Sequence, residues 1–266
     1  MARLAVLGAG VMGTAILAAL LEAQAFAPAE VSATTLDQDA ARRLREDLQV
    51  KVTDNVRAVA QAEVVLISVK PDGVASLLAE VRDHISDEAL VISVAAGISL
   101  DVLESGLPEG TAVVRVMPNT PALIGEGMMV LSVGKECGPE QVAYAEELLG
   151  HCGSVLTVPE KQQDAVTGLS GSGPAYVFMI ADALVEGGVA QGLSRQVATE
   201  LTKQTLYGAA ALLRQDGNHP TLLREQVSSP GGTTIAALRV LDAAGVRSAL
   251  VDAVEMSARR SRELGG

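Results

Sequence analysis

As far as residue 158, short unbroken apolar runs alternate with stretches of helical period. "RLAVLG" (3–8) predicts a buried strand and "VMGTAILAALLEAQ" (11–24) a helix. "EVSATT" (30–35) predicts the next strand, followed by a helix from about Asp39 to Leu48. "EVVLISV" (63–69), "ALVISV" (89–94) and "AVVRVM" (112–117) are β-branched runs with helical stretches between them. Strands that are apolar throughout, instead of at every second residue, are covered on both faces, and strand–helix alternation then predicts a mostly parallel sheet. "MMVLSVG" (128–134) and "GSVLTV" (153–158) extend that sheet around a helix at 139–150.

From Glu160 the strand signals vanish. "AYVFMIADALVEGGVAQGL", "RQVATELTKQTLYGAAALLRQ" and "VRSALVDAVEMSARRSREL" all have helical period. The expected fold is α/β: a Rossmann-like doubly wound sheet over 1–160, then an all-helical domain over 161–266. One segment breaks the helical pattern, "EQVSSPGGTTIAAL" (225–238). Pro230 suits a first helical turn, where a missing N–H costs nothing. Ser228 and Ser229 can cap. Gly231 and Gly232 leave backbone N–H groups uncovered, which predicts an anion site at a helix start.

Composition narrows the partners. The chain has 266 residues, 48% of them hydrophobic but only 2% aromatic, so its core is Ala, Val and Leu, and close helix packing, in part between subunits, is expected. A formal net charge of −12 disfavours nucleic acid and anionic membrane. No run reaches the roughly 18 uninterrupted apolar residues of a membrane span. Arg3, the apolar run after it and "AQA" (23–25) mimic a secretory leader, but Gly8, Gly10 and Gly13 interrupt the run and fit another pattern. Cys137 and Cys152 make no disulfide framework and read as reduced thiols of a cytoplasmic protein. His84, His151 and His219 show no metal-ligand spacing, so no metal is expected.

"GAGVMG" supplies the first chemistry. Gly8, Ala9, Gly10, Val11, Met12 and Gly13 form G-x-G-x-x-G between a strand and a helix, the context a dinucleotide loop requires. The first glycine permits the tight turn, the second lets backbone approach a pyrophosphate, and the third lets helix and strand pack closely. The second strand ends in Thr34 and Thr35 where an NAD site usually has Asp or Glu on the ribose 2′-hydroxyl. Hydroxyls there tolerate a 2′-phosphate, which favours NADP(H) over NAD(H) as cofactor. Three clusters follow other strands: Val69, Lys70 and Pro71; Ala95, Ala96 and Gly97; and Asn119 in "VMPNTP". They are expected to wall the nicotinamide side of the crevice at the strand ends.

The helical part constrains the reaction. "GLSGSGPAY" (168–176) is not G-x-S-x-G, so a hydrolase elbow is not indicated. It is similar to the Gly-rich helix of β-hydroxyacid dehydrogenases, whose acid/base lysine would fall at Val177. Oxidising an alcohol needs such a base. A protonated C=N, by contrast, accepts hydride directly, and orientation carries most of the catalysis.

Taken together, the motifs resemble those of the pyrroline-5-carboxylate reductase family. "GAGVMG", "VKP", "AAG", "RVMPNTP", "GLSGSGPAY", "HP" (219–220) and "VSSPGGTTIAAL" occur in that family's order over essentially the whole chain. The resemblance implies reduction of 1-pyrroline-5-carboxylate to L-proline by NAD(P)H. It also implies a homodimer with interwoven helical domains, sometimes assembled into decamers. Thr35, Asn55, Val69, Lys70 and Ala96 would join the glycine loop in holding the dinucleotide. Glu160, Gln226, Ser229, Gly231, Gly232, Thr233 and Thr234 would form the substrate site, with Thr234 aimed at the ring nitrogen as the catalytic group. An imine reductase or hydroxyacid dehydrogenase on another substrate, and a dinucleotide-sensing regulator, are the alternatives. The missing helix lysine argues against the hydroxyacid route, and the intact "SSPGGTT" against the sensor.

Overall fold

The computed structural model of the chain describes residues 3–265. Its contacts define two units, one running to Ser172 and resuming at Met256, the other Gly173–Glu255. This division falls twelve residues beyond the expected boundary at 160, and it returns the end of the last helix to the first unit.

The first unit runs β1 (Leu4–Leu7), α1 (Val11–Glu22), β2 (Val31–Thr34), α2 (Gln38–Glu46), β3 (Lys51–Val52), α3 (Asn55–Val59), β4 (Val64–Ile67), α4 (Pro71–Val81), β5 (Leu90–Ser93), α5 (Leu100–Gly106), β6 (Ala112–Met117), β7 (Gly127–Val133), α6 (Pro139–Gly150), β8 (Gly153–Thr157) and α7 (Gln163–Val166). The strands form one sheet in the order β3-β2-β1-β4-β5-β6-β7-β8. All neighbours are parallel except β6 and β7. Leu7 of β1 is in register with Thr34 on one side and Ile67 on the other. The order therefore reverses at β1, the switch point beside which ligands of such sheets bind.

The central strands β1, β4, β5 and β6 feed both faces. Leu4, Val6, Leu66, Ile92 and Val116 pack with Ile16, Leu17 and Leu20 of α1. Ala5, Leu7, Val65, Ile67 and Val91 pack with Leu77 and Leu78 of α4 and Leu103 of α5. Two-sided burial is why the runs show no alternation. Strand β3, of two residues, is too short to leave a periodic signal.

The second unit holds α8 (Gly173–Ala190), α9 (Arg195–Leu213), α10 (Pro220–Gln226), α11 (Thr233–Ala243) and the start of α12 (Val246–Leu264). Ser194 caps α9, its side chain accepting from the Val197 N–H at 3.3 Å. Gly188 lets α8 approach α9, since a Cβ there would stand 3.0 Å from that of Ala198. Within the unit Phe178, Met179, Tyr207, Val240 and Val251 remain exposed. The stretch Glu160–Ala190 is long and apolar enough to cross a membrane by length and composition.

Helix α1 starts tight against the strand ends. A Cβ on Gly13 would lie 2.8 Å from Ser68 Oγ, 3.0 Å from Ser68 Cβ and 3.2 Å from the Gly8 carbonyl oxygen. Gly13→Ala should therefore cost about 1–3 kcal/mol through overpacking. Urea unfolding should show a lower midpoint at unchanged slope; an unchanged midpoint would mean the site is not tight.

Candidate functional site

The chain leaves β1 through a loop with no room for side chains. Gly8 adopts φ +84°, and a Cβ there would come 2.9 Å from the Val69 Cα. The Gly8 N–H donates to Thr34 Oγ1 at 3.1 Å, the Ala9 N–H to the Thr34 carbonyl at 2.7 Å, and the Gly10 N–H to the Gly8 carbonyl at 2.7 Å. Gly10 then begins α1 with no side-chain cap and no acidic residue in the first turn. The opening N–H groups of a helix have no acceptor within it and carry partial positive charge. Among the described residues no side chain caps them and no first-turn acid neutralises them, and Gly10 and Val11 are exposed, so the loop fits a pyrophosphate.

The other expected cofactor residues follow the ends of the parallel strands. Met12 is half-buried behind the loop. Thr34 is buried, and its hydroxyl accepts from Gly8. Its side chain holds the loop, and the hydroxyl position at the strand end passes to the next residue. Thr35, half-buried, is the hydroxyl at the strand end, and it accepts from the Asp37 N–H at 3.2 Å. Val69 packs under Gly8, Lys70 is exposed at the start of α4, and Pro71 opens that helix. After β5, Ala95 is buried, Ala96 exposed and Gly97 half-buried at φ +77°. Asn55 opens α3 and donates to Glu80 at 2.9 Å. Asn119 departs from expectation: its amide donates to the Ser170 carbonyl at 3.1 Å and accepts from the Met128 N–H at 2.8 Å. Both ends of its side chain are engaged in joining the β6–β7 connection to the π-type turn at 167–171.

Glu160 sits in a turn after β8. Its Oε1 accepts from Arg115 Nη1 at 2.9 Å and from the Leu100 N–H at 2.7 Å. The lone arginine in "AVVRVM" was the signal for this pair, because a charge inside a buried strand demands a partner. Sequence reasoning passed over it, and over Gln163, whose Nε2 donates to Ser132 Oγ at 2.8 Å and to the Val130 carbonyl at 3.1 Å.

In the second unit the 225–238 segment differs from its expected form. Pro230 does not open a helix. Ser229-Pro230-Gly231-Gly232 is a tight turn closed by the Gly232 N–H to Ser229 carbonyl bond at 3.0 Å, with Gly231 at φ +68°. Proline second and a left-handed glycine third is the type II pattern. Ser228 does not cap either; its hydroxyl donates back to the Arg224 carbonyl at 2.6 Å. Helix α11 begins at Thr233 after Gly232, with no side-chain cap and no acidic residue in its first turn. Ser229, Gly231 and Thr233 are exposed, Gly232 and Thr234 half-exposed, and Gln226 is exposed at the end of α10. The helix start is bare, and it falls three residues later than the sequence suggested.

Burial pushes the Cys152 thiol up to about 11 and that of Cys137 upward, so neither is a ready thiolate nucleophile. Among the described residues no group of three His, Cys, Asp or Glu side chains could hold a metal ion.

A parallel sheet with a glycine loop at its switch point defines a Rossmann-type dinucleotide-binding protein. Residues 3–97 match the family model described as NADP oxidoreductase, coenzyme F420-dependent. Residues 160–264 match the model for pyrroline-5-carboxylate reductase dimerisation. A pyrroline-5-carboxylate reductase of Synechocystis sp. is 43% identical over 99% of this chain and 98% of its own. The solved structure of the Coxiella burnetii pyrroline-5-carboxylate reductase is 32% identical, with TM-score 0.92 over 100% of this chain and 99% of that one. That of the Plasmodium falciparum pyrroline carboxylate reductase with NADP bound is 26% identical, with TM-score 0.90 over 100% and 98%. The chain belongs to the pyrroline-5-carboxylate reductase family.

Thr34→Val should remove the acceptor for the Gly8 N–H while keeping the side chain's shape. The loss is about 1–3 kcal/mol of loop order, and it should appear as roughly 5- to 150-fold weaker NADPH binding by fluorescence titration. Unchanged affinity would mean the loop holds its shape without this bond.

Proposed function

We propose that the protein reduces 1-pyrroline-5-carboxylate to L-proline with NADPH, the last step of proline synthesis. The observation that carries this is the bare start of α11, which has a glycine at its cap, no acid in its first turn and two threonine hydroxyls beside it. The N–H groups of Gly231 and Thr233 bind the substrate carboxylate, helped by the helix dipole, while the Gly232 N–H closes the turn onto the Ser229 carbonyl behind them. The Thr234 hydroxyl is directed to the ring nitrogen and orients the C=N, with Ser229 and Gln226 at the rim. The bound nicotinamide supplies the hydride. The C5 of the protonated imine accepts it, the nitrogen keeps its proton, and the product is a secondary amine. No base has to remove a proton, which agrees with Val177 standing where a hydroxyacid dehydrogenase has its lysine.

The dinucleotide lies along Gly8 to Gly13, with Thr35, Asn55, Val69 to Pro71 and Ala95 to Gly97 around it. Because β2 ends without a carboxylate, NADPH is the preferred cofactor and NADH the weaker one. The assembly is a homodimer through the 161–266 region, with a decamer as its higher form. A small-molecule substrate, a net charge of −12 and two free cysteines suit a cytoplasmic enzyme without nucleic-acid or membrane partners.

The deciding assay is oxidation of NADPH and NADH with pyrroline-5-carboxylate. Higher kcat/KM with NADPH supports the reading, and no turnover with either cofactor refutes it. Thr234→Ala should lower kcat/KM about 10- to 150-fold, the loss of one hydrogen bond to a charged group, and leave NADPH affinity nearly unchanged. The substrate's methyl ester should be reduced poorly, and efficient reduction of the ester would remove the carboxylate from the account. Sedimentation at micromolar concentration should show a dimer or larger. A stable, active monomer would overturn the assembly, because the exposed apolar faces of α8, α9 and α11 would then need no partner.

A further inference from the structure

The Arg115–Glu160 pair is partly enclosed, with side chains 11% and 31% exposed. The sheet makes room for it. Arg115 is in register with Ser93 of β5 and Ser132 of β7, both buried, so a small side chain stands on either side of the guanidinium stem. The turn that carries Glu160 has a second attachment besides this pair. Gln163, 1% exposed, already fixes that turn to β7 through Val130 and Ser132. The Glu160 side chain instead reaches away, to the Leu100 N–H at the start of α5.

That contact lies at the far end of one loop. Residues 94–99 leave β5, pass Ala95, Ala96 and Gly97, and enter α5 at Leu100. The near end is held by the sheet and by the Ala95 N–H to Ser93 Oγ bond at 3.4 Å. The far end has Ser99 capping α5 from within and Glu160 capping Leu100 from sixty residues away. Between these ends Gly97 adopts φ +77°. A glutamate alone could swing to solvent, but with Arg115 on the same oxygen it stays on Leu100.

We infer that Arg115 and Glu160 are positioning residues for the dinucleotide: together they fix the start of α5 and so the Ala95–Gly97 wall of the crevice. The inference rests on the crevice assigned under the proposed function. It gives Glu160 a task directed at the cofactor wall, distinct from the substrate contact that the family resemblance implies.

The test uses the full-length enzyme and measures NADPH Kd by fluorescence titration without substrate, KM for both substrates, kcat and melting temperature. Arg115→Met should weaken NADPH binding about tenfold, with the KM for pyrroline-5-carboxylate within twofold of wild type. Glu160→Gln keeps an acceptor for Leu100 but loses the charge pair, so it should weaken binding less. Arg115→Lys should restore most of the affinity, and the double variant Arg115→Met with Glu160→Gln should be no worse than Arg115→Met alone, since both break one strut. Should Arg115→Met fail to fold, the near-isosteric Glu160→Gln decides alone. A raised KM for pyrroline-5-carboxylate with unchanged NADPH Kd would overturn the inference in favour of direct substrate contact. A lowered melting temperature with unchanged Kd would reduce the pair to a fold-stabilising one, and additive losses in the double variant would also overturn it. Failure of the wild type to bind NADPH would refute the crevice instead, and it is read separately.

Discussion

The chain's chemistry depends on one steric fact: at the end of β1 there is no side chain where the next strand and the next helix must both approach. Gly8 lies against Val69, and Gly13 against Ser68 and the Gly8 carbonyl. Only with both Cβ atoms missing can α1 begin at the sheet edge, with its first turn aimed along the crevice. Thr34 adds a hydrogen bond from β2, so three neighbouring strands β2, β1 and β4 hold the loop. The same packing places Lys70 and Ala96 at the ends of the adjoining strands.

Helix starts divide along this line. Asp37, Asp54, Ser99 and Ser194 cap α2, α3, α5 and α9 with their side chains. Helices α4 and α6 lack such a cap but carry Asp72 and Glu140 in their first turns, which answer the dipole internally. Helices α1 and α11 have neither, and each follows a glycine. A capped helix has its first donors satisfied, whereas an uncapped and uncharged one leaves them to water or to an anion. Of the helices with a described N-cap residue, the two that lack both are those opened by the motifs "GAGVMG" and "SSPGGTT", and these motifs are rich in glycine and free of acids. A cap at either place would occupy donors that are otherwise open to an anion.

Most of this was legible because it rests on local rules. Unbroken apolar runs gave the two-sided sheet, and a G-x-G-x-x-G between strand and helix gave the loop. What could not be read locally is what long-range packing decides. That the Thr34 hydroxyl accepts from the Gly8 N–H at 3.1 Å had no local signal. Asn119 follows its strand as expected, yet both ends of its amide are engaged with backbone 9 and 51 residues away. Pro230 suits a helix start and a type II turn equally well in sequence. The left-handed Gly231 selects the turn, and no propensity scale would have chosen between them. The glycine motifs survive these corrections because their meaning is steric, whereas polar side chains take whatever partner the fold brings near.

Charge then sets how the two bare helix starts must operate. The chain carries −12, and both the dinucleotide and an imino carboxylate are anions, so the long-range field opposes their approach. That field is screened within roughly 8–10 Å at physiological salt, while backbone N–H donors act at contact distance and are hardly screened. Binding therefore has to come from short-range donors held in place beforehand, because a loose loop would spend the small attraction on its own ordering. This is the physical reason for the struts behind the crevice: Thr34 behind the glycine loop, and the Arg115–Glu160 pair behind the wall at Ala95. Neither adds net positive charge to the approach path. Each fixes backbone so that the few donors present meet the ligand already oriented.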